Sequence, residues 1–192
     1  MKRALILAST SPRRRTLLSE LGIPFTVCAP TLAEERLDPA RPLAEALEAL
    51  ALEKARSVAC RFPEALVLGA DTIVCKDGVL LGKPHDAQDA AHMLRSLSGS
   101  DHDVITAVAL CVGASNQAVS NHAVSTVRFR KLTEEEIQAY IATGEPLDKA
   151  GAYGIQGEGG RFVSALDGPF DNVVGLPLAL VREMLDGWEE EV

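Results

Sequence analysis

Three arginines, Arg13, Arg14 and Arg15, follow Ser11-Pro12 directly, at what the pattern makes the start of a helix. Ser11 suits an N-cap, and Pro12 suits the first helical position, where its missing N–H costs nothing. Cations at that end oppose the helix dipole by about 0.3–1 kcal/mol each. Such a start makes sense around a bound anion; the alternative is a solvated helix face. Lys54 lies seven residues after Leu47 and four after Leu50, inside an apolar stripe. It must either snorkel outwards or meet an anion. Lys83 sits in a Gly82-Lys83-Pro84 turn, Glu34 in a turn-rich loop, and Asp71 directly after an apolar run. Cations beside carboxylates are what a polyphosphate site with a divalent metal needs. The cations hold phosphate oxygens, while the carboxylates hold Mg²⁺ or Mn²⁺ and orient water for in-line attack.

The elements that must position these groups follow from the spacing of apolar residues. Residues 4–8 and 25–28 predict short strands, and the first helix, carrying Leu17, Leu18 and Leu21, closes at Gly22. Residues 30–42 predict a polar surface loop that carries Glu34 and Glu35. A long helix is predicted over 43–61, with Leu43, Ala46, Leu47, Leu50, Ala51 and Val58 on one face. The run 65–70 predicts a buried strand that ends at Asp71-Thr72, the position where α/β proteins place ligand groups. Lys76-Asp77-Gly78 marks a hairpin turn between 73–75 and 79–81. A helix over 86–97 and two β-rich segments, 102–112 and 118–130, read as antiparallel neighbours, come next. Thr133 and Glu136 form a capping box for a helix that ends near Gly144. Residues 147–160 are too rich in glycine for a regular element and read as a ligand loop. Residues 161–163 and 173–174 predict strands, and Pro177 starts a last helix reaching about Asp186. The chain shows no repeat, no low-complexity tract and no clear boundary, so one domain over 1–192 is expected.

Bulk properties narrow the function. Hydrophobic residues make up 47% and charged residues 24%, as in a soluble globular protein. A net charge of −8 disfavours a general nucleic-acid binder, so the arginine cluster is a local feature suited to a small anion. Cys28, Cys60, Cys75 and Cys111 have no CxxC spacing and read as buried reduced thiols. The four histidines form no zinc motif. There is no GxxxxGK[ST], so no P-loop is expected. The apolar stretch after Lys2-Arg3 is too short for a signal peptide, and no run reaches the ~20 apolar residues of a membrane span. A cytoplasmic protein without membrane contact is the expectation.

Leu7-Ala8-Ser9-Thr10-Ser11-Pro12-Arg13-Arg14, Glu53-Lys54-Ala55, Gly69-Ala70-Asp71-Thr72, Gly82-Lys83-Pro84 and Asn172-Val173-Val174-Gly175-Leu176-Pro177 span nearly the whole chain. Together they resemble the Maf family of nucleoside triphosphate pyrophosphatases. The resemblance implies an α/β fold related to the inosine triphosphate pyrophosphatases, an elongated mixed β-sheet flanked by helices, with two lobes around a nucleotide cleft. It implies cleavage between the α- and β-phosphates with a divalent metal, and a homodimer as one form. Position by position it implies that Asp71 is the base that activates water and that Glu34 joins Asp71 at the metal. Lys54 and Lys83 would contact phosphates, and Ser9, Ser11 and Arg14 would form the phosphate turn. Arg13, Thr72 and Gln156 resemble the subgroup that acts on dTTP and UTP. Several members carry an acid where this chain has Thr16, which puts the motif's own ion pairing in doubt.

The physics supports a role for Gln156. A uracil or thymine edge offers a carbonyl acceptor beside an imino N–H, and one carboxamide satisfies both. A base with donors and acceptors reversed is rejected because buried groups stay unpaired. The alternative is a glutamine bonded to its own loop. Two other functions stand beside the dTTP/UTP expectation: a pyrophosphatase for 7-methyl-GTP or another non-standard nucleotide, and a nucleotide-binding regulator of cell division.

Overall fold

A buried four-residue run starts the fold. β1 (Leu5–Ala8) is apolar and buried throughout. It pairs in parallel with β2 (Phe25–Cys28) on one side and with β3 (Leu66–Lys76) on the other. The computed structural model describes residues 3–32, 37–115 and 117–190. Its sheet has seven strands in the order β2-β1-β3-β5-β6-β7, with β4 (Val79–Leu81) added to β3. β5 is Asp101–Val112, β6 Ala118–Phe129 and β7 Val163–Asp167. The helices are α1 (Pro12–Glu20), α2 (Leu43–Ala59), α3 (Ala87–Leu97), α4 (Glu134–Ala142), α5 (Phe170–Val174) and α6 (Leu178–Glu190). The fold is thus the expected mixed sheet flanked by helices.

The chain divides into two compact units. The first comprises Met1–Asp71, Thr106–Ala123 and Gly175–Val192. Part of its core gathers Ile6, Ala8, Ala55, Val58, Val67 and Cys111, so β1, α2, β3 and β5 share one apolar interior. The second comprises Thr72–Ile105 and Val124–Val174. Its core sets Leu94 and Leu97 of α3 and Ile137 and Tyr140 of α4 against Phe129, Tyr153 and Phe162.

Most predicted elements appear within a residue or two. Ser11 caps α1, accepting from the Arg14 amide at 3.4 Å, with Pro12 in the first turn. Thr133 and Glu136 form the capping box of α4. The β3–β4 hairpin turns on Asp77 and Gly78, with φ of 50° and 80°, as an Asp-Gly turn requires. The Val112 amide donates to Gln117 at one end of β5–β6 and the Phe129 amide to Ser100 at the other, an antiparallel pairing.

Five expectations need correction. The cysteines are not all buried: Cys111 is, Cys28 and Cys75 are half-buried, and Cys60, at the end of α2, is exposed. β3 does not stop at Ala70: Thr72, Ile73 and Val74 favour extended backbone and β4 pairs with their continuation, so Asp71 lies within the strand. Residues 147–160 are not irregular but are wound largely into 3₁₀ turns at Glu145–Asp148, Ala150–Ala152 and Glu158–Phe162. The last of these takes Arg161 and Phe162 out of the expected strand, because Phe162 turns fully into the core. Val173 and Val174 lie in α5 rather than a strand, since Asn172 beside them is anchored through its side chain.

Candidate active site

The first unit assembles one carboxylate and two cations. The register Ala8↔Gly69 puts the end of β1 level with the part of β3 that leads into Asp71. The turn after β1 is fixed by Ser9, which is buried and whose hydroxyl accepts from the Ser11 amide at 3.1 Å. That turn launches α1 and places Arg14 against β3.

Lys54 does not snorkel. It is 6% exposed, and its Nζ lies 3.2 Å from Asp71 Oδ1. The approach depends on Gly69. A Cβ there would stand 2.2 Å from the Ala51 carbonyl oxygen and 2.8 Å from the Ala55 amide. Glycine therefore lets α2 close onto β3, and Lys54, one residue before Ala55, reaches the carboxylate two residues after Gly69.

Arg14 serves the same strand differently. Its Nε donates to the Gly175 carbonyl and its Nη1 to the Ala70 carbonyl, each at 2.8 Å, and Nη2 stands 3.9 Å from Asp71 Oδ1. The guanidinium thus ties α1, β3 and the segment before α6 together beside the carboxylate. Two of its nitrogens are engaged with backbone carbonyls. Arg13 is half-buried and Arg15 exposed. Thr16 donates to the Pro12 carbonyl at 3.1 Å and completes α1 locally.

The other predicted residues belong to the second unit. Thr72 is half-buried, Lys83 is exposed, and Gln156 is exposed in the glycine-rich segment. Glu34 lies outside the described residues. Among the described residues, no three His, Cys, Asp or Glu side chains gather as a metal cluster. Asp71 supplies a hard oxygen donor with a side chain 18% exposed. Mg²⁺ is held by one or two carboxylates and completes its shell with water and phosphate oxygens, so this donor fits such an ion.

Sequence reasoning missed two groups. One is the backbone role of Arg14, whose partners are carbonyls and leave no trace in residue types. The other is Glu145, whose carboxylate accepts from Tyr140 Oη and from two amides of the glycine-rich segment. An acid placed just before a run of glycines is the signal that could have found it.

A family model described as Maf-like protein matches residues 4–188. The chain belongs to the Maf-like family. A relative from Moorella thermoacetica, named dTTP/UTP pyrophosphatase, is 52% identical over 181 residues, covering 94% of this chain and 93% of its own. One from Bacillus velezensis with the same name is 50% identical, covering 96% of each chain. The Ham1 protein of Staphylococcus aureus shares the fold of this Maf-like chain at 10% identity, with a TM-score of 0.51 over 96% of this chain and 99% of that one. No helix among the described residues is long and apolar enough to cross a membrane.

Proposed function

We propose that this chain is a nucleoside triphosphate pyrophosphatase that hydrolyses dTTP and UTP to the monophosphate and pyrophosphate. The observation that carries the proposal is the buried Lys54 held 3.2 Å from Asp71, in a chain so similar to relatives named for this activity. A lysine on the inner face of a helix is costly unless its charge is used. Here it is paired with a carboxylate that keeps some exposure to solvent.

In this mechanism Asp71 accepts the proton of the water that attacks the phosphoanhydride. The bond between the α- and β-phosphates breaks, and pyrophosphate leaves with the bridging oxygen. Lys54 orients the Asp71 carboxylate and meets charge that develops on phosphate oxygens. Ser9, Ser11 and Arg14 supply the turn that receives phosphate, while Arg14 Nε and Nη1 also hold that turn against β3. Lys83 is a second phosphate contact, Thr72 and Arg13 help select the substrate, and Gln156 reads the pyrimidine edge. Asp71 and Glu34 would hold Mg²⁺ or Mn²⁺, which supplies charge neutralisation on the phosphates when bound.

A substrate panel with Mg²⁺ tests the assignment. The proposal predicts that dTTP and UTP give the highest kcat/KM, with purine triphosphates and 7-methyl-GTP well below. Preference for 7-methyl-GTP would move the chain to the alternative subgroup. Tight nucleotide binding without turnover across the panel would make it a regulator instead.

A further inference from the structure

The glycine-rich segment folds around two side chains to which the proposed chemistry gives no role. Tyr140 on α4 is fully buried, and its hydroxyl donates to Glu145 Oε1 at 2.8 Å while accepting from the Gly154 amide at 3.1 Å. The Glu145 carboxylate then accepts from two more amides: Glu158 on Oε2 at 3.0 Å and Gly159 on Oε1 at 3.3 Å. The loop also closes on itself, the Gly157 amide donating to the Gly154 carbonyl at 3.2 Å. Gln156 therefore stands between two anchored points, Gly154 behind it and residues 157–159 ahead, while its own side chain is exposed.

The glycines in this segment are the counterpart of the clamp. A Cβ at 157 would lie within 2.5 Å of three atoms of the Glu145 carboxyl group, and one at 159 would lie 2.6 Å from Tyr140 Oη. Their absence lets the backbone approach close enough for its N–H groups to reach a carboxylate. Burial alone would raise the Glu145 carboxyl. The Tyr140 hydroxyl, the two amides and the nearby Lys149 ammonium outweigh that effect and hold it below the ordinary glutamate value. The ionised form, which can accept all three bonds, is the form the loop favours.

We propose that Glu145, braced by Tyr140, is a positioning residue for base selection: it sets the shape of the 154–160 loop and so fixes where Gln156 is presented. The inference rests on the dTTP/UTP pyrophosphatase reading, in which Gln156 meets the pyrimidine. A carboxamide discriminates between bases only if its own orientation is fixed, because a mobile one adapts to either pattern of donors and acceptors. Glu145→Gln is a sharp probe. It keeps the size but turns one acceptor into a donor facing backbone N–H groups.

The experiment measures kcat/KM for dTTP and dGTP in the unsubstituted protein, Glu145→Gln, Tyr140→Phe and Glu145→Asp, together with amide hydrogen exchange. In Glu145→Gln the dTTP-over-dGTP ratio falls about tenfold or more. The loss lies mainly in the KM for dTTP, and exchange at Glu158 and Gly159 quickens while β1 and β3 stay protected. Tyr140→Phe shifts the ratio in the same direction by a smaller factor, and Glu145→Asp recovers part of it. An unchanged ratio in Glu145→Gln overturns the positioning role. So does an equal loss on both nucleotides, the mark of a merely less stable protein. Failure of the unsubstituted protein to cleave dTTP overturns the pyrophosphatase reading instead, and unchanged exchange at Glu158 and Gly159 overturns the clamp whatever the activity.

Discussion

At Asp71 one carboxylate oxygen faces Lys54 Nζ at 3.2 Å and Arg14 Nη2 at 3.9 Å. The two cations do separate work: Lys54 is the closer partner, and Arg14 has two of its nitrogens engaged with the carbonyls of Ala70 and Gly175. If Asp71 is the base, Asp71→Asn keeps the shape and removes the proton acceptor. Turnover of dTTP should fall by about 10³-fold, within the range that general-base catalysis contributes. The fold should persist, but urea should unfold the variant at a lower concentration, because the buried Lys54 ammonium loses the charge of Asp71. Near-normal turnover in Asp71→Asn would take Asp71 out of the mechanism. The candidate cations and Asp71 were legible in the sequence because each breaks a local pattern: arginines at the wrong end of a helix, a lysine on an apolar face, an acid after a buried run. Arg14's carbonyl partners were not legible, since every residue has a carbonyl.

At the scale of elements, the site depends on how closely α2 lies on β3. Gly69 sets that distance, with the Ala51 carbonyl oxygen only 2.2 Å from where a Cβ would be. Both obstructing neighbours, the Ala51 carbonyl and the Ala55 amide, are backbone and cannot rotate away. Gly69→Ala should therefore cost about 3 kcal/mol, the upper end for an inserted methyl group in a packed interior. It should also lower kcat, because moving α2 draws Lys54 from Asp71. A urea midpoint and a dTTP rate measured on the same variant check both effects; wild-type stability would contradict the packing argument. The helices and the hairpin could be read from sequence because their signals are local: Ser11-Pro12, the Thr133–Glu136 box, Asp77-Gly78. The glycine-rich segment could not, because its 3₁₀ turns are held by Tyr140 and Glu145, one on the preceding helix and one at the head of the first turn. For the same reason Arg161-Phe162 read as strand: nothing local announces that Phe162 must face edge-on to Tyr140, 5.0 Å away.

At the scale of the molecule, the core of the second unit carries a pH dependence. His102 is buried, with Nε2 2.9 Å from Tyr153 Oη and its ring edge-on to Phe129 and Tyr153. Burial is the main cause that brings its pKa down to about 4; Asp103 and Asp101 oppose this and Lys76 adds to it. In the unfolded chain the same group titrates near 6.5. Between those values the unfolded state binds the extra proton, so stability is lost as pH falls from about 6.5 towards 4. The full contribution is about 3 kcal/mol. Urea midpoints at pH 7 and pH 4.5 should show the wild type losing more stability than His102→Gln over that interval. Equal losses would show that His102 is not the linked group.

Cleavage between the α- and β-phosphates is decided by identifying the products formed from dTTP and Mg²⁺. A cut there gives dTMP and pyrophosphate in equal amounts. Release of dTDP and orthophosphate would mean that the β–γ bond is cut instead.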